Sequence, residues 1–119
     1  MFESILVVCT GNICRSPIGE RFLQKSFPNK RIDSAGTGAL VGHHADQNAI
    51  KIASMHDISL EGHKGQQFTS ALGRQYDLIL AMEKEHIEQI GRIAPEVRGK
   101  TMLFGQWLNC REIPDPYRK

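Results

Sequence analysis

The stretch ILVVCTGNICRSP, residues 5–17, runs from a continuous apolar segment through a small Gly-containing loop to an arginine, a serine and a proline. Ile5 to Val8 is apolar at every position and partly β-branched, the pattern of a strand buried on both faces as in a parallel sheet. Cys9 ends that strand. After the loop, Ser16 is placed to cap a helix and Pro17 to take its first position, with Ile18, Phe22, Leu23 and Phe27 as the apolar stripe before Pro28. The opening unit is therefore strand, loop, helix.

The rest of the chain repeats this alternation. Arg31 to Ala35 (RIDSA) predicts a second strand, and Ala45 to Met55 a helix offering Ile50 and Ile52 to Met55 to the core. Tyr76 to Met82 (YDLILAM) predicts a third strand, Lys84 to Ile93 a helix closed by Pro95, and Lys100 to Phe104 a last strand, with loop beyond. Strands alternating with helices imply right-handed βαβ units, hence an α/β three-layer sandwich around a four-stranded parallel sheet. Ligands in such sheets bind outside the carboxyl ends of the strands. The first loop is thus the leading site on topology alone.

Composition narrows the function classes. A chain of 119 residues holds one domain with a core, so residues 1–119 are read as a single unit. The formal charge is +2 and its cations are scattered, which argues against a nucleic-acid partner. The N-terminal apolar run is too short for a signal sequence or a span, so a cytoplasmic chain without membrane insertion is expected. Three cysteines, Cys9, Cys14 and Cys110, lack paired spacing, which points to reduced thiols rather than a disulfide framework or a zinc site.

Cys9 and Arg15 bracket Thr10, Gly11, Asn12, Ile13 and Cys14, a length that can curl with its backbone N–H groups inward. Gly11 and Asn12 tolerate the positive φ that such an anion nest requires. The following helix adds its positive end, favouring a tetrahedral dianion and equally a thiolate, the nucleophilic form of cysteine. Arg15 offers paired donors to two phosphoryl oxygens, and the Ser16 hydroxyl can reach the Cys9 sulfur. A buried core cysteine beside a surface arginine would leave this combination of spacing and residue types unexplained.

VCTGNICRSP resembles the phosphate loop of the low-molecular-weight protein tyrosine phosphatases. DSAG (33–36), SLEGH (59–63), YDLILAME (76–83), RGKTMLFGQW (98–107) and IPDPYRK (113–119) are similar to that family too, most closely to its bacterial branch associated with capsule and exopolysaccharide biosynthesis. The resemblance covers essentially the whole chain. It implies Cys9 as nucleophile, Arg15 as phosphoryl ligand and Asp115, in DPY, as general acid and then base. Read locally, Asp115 between two prolines is only a rigid turn. By resemblance Tyr117 and Leu40 wall the slot for the phosphotyrosine ring, while Asn12, Ser34 and His63 brace the loop. A reversible Cys9–Cys14 disulfide is also implied; packing beneath the loop is the other reading of Cys14. The implied substrate is a phosphotyrosine protein, a membrane tyrosine autokinase, with no metal and no cofactor. Family members continue past DPY into a further helix, so a C-terminal helix is expected to be missing here.

Competing readings are an arsenate reductase on a similar fold, for which Cys110 alone makes a poor thiol relay, and a cysteine phosphoryl carrier, which would need neither Arg15 nor an acid. A phosphotyrosine-binding module would dispense with Cys9 or Asp115. The adjacent pair His43 and His44 reads as surface, and Gly36-Thr37-Gly38 lacks the third glycine of a dinucleotide loop because Val41 stands there.

Overall fold

The computed structural model describes residues 3–107. Four parallel strands, β1 (Ser4–Cys9), β2 (Arg31–Gly36), β3 (Leu78–Ala81) and β4 (Thr101–Leu103), form one sheet in the order β2-β1-β3-β4. Between them run α1 (Arg15–Ser26), α2 (Gln47–Met55), a single turn α3 (Ser70–Gly73) and α4 (Lys84–Ile93). A 3-10 segment, Pro95–Lys100, leads into β4, and the short α5 (Phe104–Trp107) follows it.

The apolar run of β1 is divided between two layers, as a two-sided strand demands. Leu6 and Val8 pack with Ile79, Ala81, Ile90 and Val97 under α4, whereas Ile5 and Val7 pack with Leu23, Ile32, Leu80 and Phe104 under α1 and α5. Each of these side chains is at most 3% exposed, and burying one of those larger than alanine contributes about 1.5–3 kcal/mol. A third cluster, Ile18, Ala45, Ala49, Ala53 and Leu60, seats α2 against α1.

Several boundaries differ from the sequence reading. Ser16 does not cap and Pro17 does not open the helix: α1 begins at Arg15, with no side-chain cap among the described residues, because the Ser16 hydroxyl is taken up by the loop. α2 starts at Gln47, its first turn capped by Asp46, whose carboxylate accepts from Asn48 N (2.9 Å) and Ala49 N (3.3 Å). It buries the small Ala49 and Ala53, leaving Ile50 42% and Met55 80% exposed, since only alanines allow the close approach to α1. β2 runs one residue further, to Gly36, and β3 is shorter, at Leu78–Ala81. The last strand gives way at Phe104 to helix rather than loop, because the Phe104 ring turns under the sheet beside Gly19.

Candidate active site

Residues 9–15 link the carboxyl end of the central strand to α1, and their shape follows from where the carbonyls go. Five successive carbonyls, those of Cys9, Thr10, Gly11, Asn12 and Ile13, accept hydrogen bonds from outside the loop. Their donors are Thr37 N (2.9 Å), Gly38 N (2.9 Å), Leu40 N (3.0 Å), His63 Nε2 (2.5 Å) and Asp46 N (2.7 Å). With the oxygens tied outward, the amides turn toward the concave side. Asn12 N accordingly lies 3.3 Å from Cys9 Sγ.

Only Asn12 takes up the left-handed conformation, with φ 62°; Gly11 does not, contrary to the sequence expectation. Asn12 is fully buried and every polar group of its side chain is engaged. Its Nδ2 donates to Ser16 Oγ (2.9 Å) and Ser34 Oγ (2.9 Å), and its Oδ1 accepts from Gln66 N (2.8 Å). These bonds hold the strained residue where asparagine is one of the few types that fit.

The resulting chain of hydrogen bonds has a direction. Ser34 accepts from Asn12 and donates to Glu20 Oε1 (2.5 Å); Ser16 accepts from Asn12, and its hydroxyl lies 2.8 Å from Cys9 Sγ, in reach to donate to a thiolate there. With Asn12 N at 3.3 Å as well, the sulfur faces two groups able to donate to it. Gly36, at the end of β2, lies so close beneath that an added Cβ would sit 2.3 Å from Thr10 O and 3.0 Å from Asn12 N. The glycine of DSAG is needed there for backbone approach, not for a dinucleotide.

Arg15 lies at the opening of α1, with Nη1 2.5 Å from Glu83 Oε2; the two side chains are 19% and 22% exposed. Glu83 follows the carboxyl end of β3 and precedes α4. His86, one turn into α4, is wholly buried, with Nδ1 accepting from Glu83 N (3.1 Å) and Nε2 3.0 Å from Thr10 Oγ1. Sequence reasoning missed Glu83, His86, Glu20 and Gln66. The strand-end rule that singled out the first loop would have found Glu83 had it been applied to YDLILAME as well.

Leu40 stands at the rim, 45% exposed, tied to the loop through its amide. Ser34 and His63 are buried beside Asn12, and His43 and His44 are exposed. Asp115, Tyr117 and Cys110 lie outside the described residues. Cys9 and Cys14 are not joined to each other by a disulfide. Among the described residues, no helix is long and apolar enough to cross a membrane.

Burial holds the His86 imidazole below its ordinary value of 6.5; Arg15 adds to the lowering and Glu83 opposes it. These are the charged groups that act on the ring. Below 6.5 the unfolded chain binds a proton that the folded chain refuses, so stability is full above 6.5 and falls as the pH drops through it. The urea midpoint is expected to fall between pH 7.5 and 5.5, above the range where carboxylates titrate, and to fall less in His86→Asn. Equal pH slopes for the two proteins would rule His86 out as the cause.

The family model for low molecular weight phosphotyrosine protein phosphatase matches residues 4–119. The chain is 65% identical over 118 residues to the low molecular weight protein-tyrosine-phosphatase Etp of Escherichia coli K12, covering 99% of this chain and 80% of that one. Among solved structures it is similar to the tyrosine phosphatase Wzb from Escherichia coli K30 in complex with sulphate, with TM-score 0.91, 67% identity, and coverage of 99% and 82%. It is likewise similar to the tyrosine phosphatase AmsI of Erwinia amylovora, with TM-score 0.91, 56% identity, and coverage of 100% and 79%.

Proposed function

Because this chain belongs to the low molecular weight phosphotyrosine protein phosphatase family, and is thus a protein-tyrosine-phosphatase and a hydrolase, we propose that it works through a phosphocysteine on Cys9. The thiolate attacks phosphorus and the bond to the tyrosine oxygen breaks. Asp115 protonates the leaving phenolate, then takes a proton from the water that attacks the phosphocysteine, releasing inorganic phosphate and regenerating the thiolate. Arg15 and the inward amides of residues 10–15 hold the phosphoryl oxygens, and donors preorganised around the transferring group in a site shielded from water stabilise its charge more than water does. Glu83 holds the guanidinium through Nη1, which fixes its direction at the opening of α1.

The observation that carries this reading is the outward anchoring of five consecutive loop carbonyls around a sulfur that lies within hydrogen-bond distance of both Asn12 N and Ser16 Oγ. A cysteine buried merely for packing would not call for it. The sulphate complex of the related Wzb supports an oxyanion as the ligand class. Leu40 and Tyr117 are proposed to flank the phenyl ring, and Ser34 and His63 to keep the loop in shape. We propose further, from the resemblance of the chain's motifs to the capsule- and exopolysaccharide-associated branch of the family, that the substrate is a membrane tyrosine autokinase of exopolysaccharide export.

The direct test is phosphate release from matched phosphotyrosine and phosphoserine peptides, followed by a tyrosine-phosphorylated autokinase tail. The phosphotyrosine peptide is expected to turn over at least a hundredfold faster, because a slot deep enough for an aryl phosphate holds the shorter serine ester away from sulfur. Comparable turnover of both peptides would overturn the assignment.

A further inference from the structure

His86 takes no part in the chemistry above, yet it is a fully buried imidazole touching both halves of the site. A buried ring of this kind is costly unless both nitrogens are satisfied. Here they are, and by groups of different origin. Nδ1 receives the Glu83 amide hydrogen at 3.1 Å, which requires a lone pair and so a neutral ring carrying its hydrogen on Nε2. That hydrogen is directed to Thr10 Oγ1 at 3.0 Å. Thr10 follows the reactive cysteine, and the Glu83 carboxylate grips Arg15 at 2.5 Å.

Resting on the reading of Cys9 and Arg15 given above, we propose that His86 is a positioning residue that holds the loop at Thr10 and the arginine clamp at Glu83 in one frame. Three elements meet at or beside this ring: the end of β1, the start of α1 through Arg15 and Glu83, and the start of α4. Because Thr10 accepts from His86, its own hydroxyl hydrogen stays available to a further acceptor at the loop mouth. Protonation of Nδ1 would set two donors face to face at Glu83 N and bring a second cation toward Arg15. The neutral ring is thus the form that keeps the frame. Arg15 and Glu83 are the charged groups acting on it.

The two nitrogens can be tested separately. His86→Asn places an acceptor near the position of Nδ1 and loses the bond to Thr10, whereas His86→Gln reaches Thr10 and releases Glu83. Both are neutral and close in size, so folding, followed by circular dichroism and thermal melting, is expected to survive. With p-nitrophenyl phosphate, each variant is expected to lose roughly ten- to a hundredfold in kcat/KM at temperatures well below its melting point, the scale of a displacement of about 1 Å at a reacting centre. His86→Gln, which loosens the arginine's carboxylate, is expected also to weaken inhibition by inorganic phosphate. Thr10→Val is expected to lose activity on its own and to add nothing in the His86→Asn background, since the same bond is already broken.

Losses that add in the double variant, or parent-like kinetics in folded His86→Asn and His86→Gln, would overturn the proposal. Parent activity abolished by Cys9→Ser tests the underlying reading independently. Should the parent release no phosphate, that reading fails, and the same cycle read in the dissociation constant for inorganic phosphate still decides whether His86 orders the anion loop.

Discussion

Cys9→Ser is expected to release no measurable phosphate from a phosphotyrosine peptide, a loss of roughly 10⁴-fold or more, while binding inorganic phosphate at least as tightly as the parent chain. The two halves of this result come from different parts of the site. Turnover needs sulfur as the attacking atom, and a neutral hydroxyl at the same position is a far weaker nucleophile. Binding needs the amides, whose direction is set by carbonyl bonds to Thr37, Gly38, Leu40, His63 and Asp46, none of which involves the sulfur. Replacing a thiolate by a hydroxyl also removes a negative charge facing a dianion. Steady-state phosphate release and isothermal titration with phosphate check the two halves. Residual turnover in the variant would count against covalent catalysis at this residue, and lost phosphate binding would mean that sulfur, not the carbonyl anchoring, shapes the nest.

Asp115→Asn is expected to lower kcat by roughly 10²–10⁴-fold, the ordinary range for removing a general acid or base. Its signature is a dependence on the leaving group. An aryl phosphate whose phenolate leaves without help should lose little in phosphorylation of Cys9, and tyrosine itself should lose most. Hydrolysis of the intermediate should slow as well, because in the proposed mechanism the same carboxylate activates water, so phosphocysteine should accumulate in rapid-quench samples. A loss that is uniform across phenols with no trapped intermediate would assign Asp115 a structural role in its turn. Asparagine is chosen because it keeps the size and most hydrogen bonds of aspartate and removes only the transferable proton.

What the sequence made legible was whatever is encoded locally. The two-sided strand at Ile5–Val8, the loop that follows and the helix at Lys84–Ile93 all announce themselves within a dozen residues. Ser16 was misread for the same reason: Ser-Pro before an apolar stripe looks like a cap followed by a first turn, and only the curl of the loop delivers its hydroxyl to Asn12 and Cys9 instead. In α2 the sequence offered Ile50 and Ile52 to Met55 to the core, but which residues face it depends on how closely α2 approaches α1, and that favoured Ala49 and Ala53 over Ile50. The strand-end rule reaches the position of Glu83, but what Glu83 and His86 hold was beyond local reading. Their partners Arg15 and Thr10 lie 68 and 76 residues away, brought near by the parallel pairing of β1 with β3.

That pairing also settles how the site can be breached. β1 is hydrogen-bonded along both edges, to β2 and to β3, with both faces covered. Its amides should be among the slowest in the chain to exchange with deuterated solvent, opening only when the whole domain opens. Cys9 terminates this strand and is 4% exposed, so fraying offers an alkylating reagent no route to the sulfur. Such a reagent must enter through the mouth of the nest. Its rate then measures how the native opening admits small molecules, and it should stay constant across mutations elsewhere that halve the global stability.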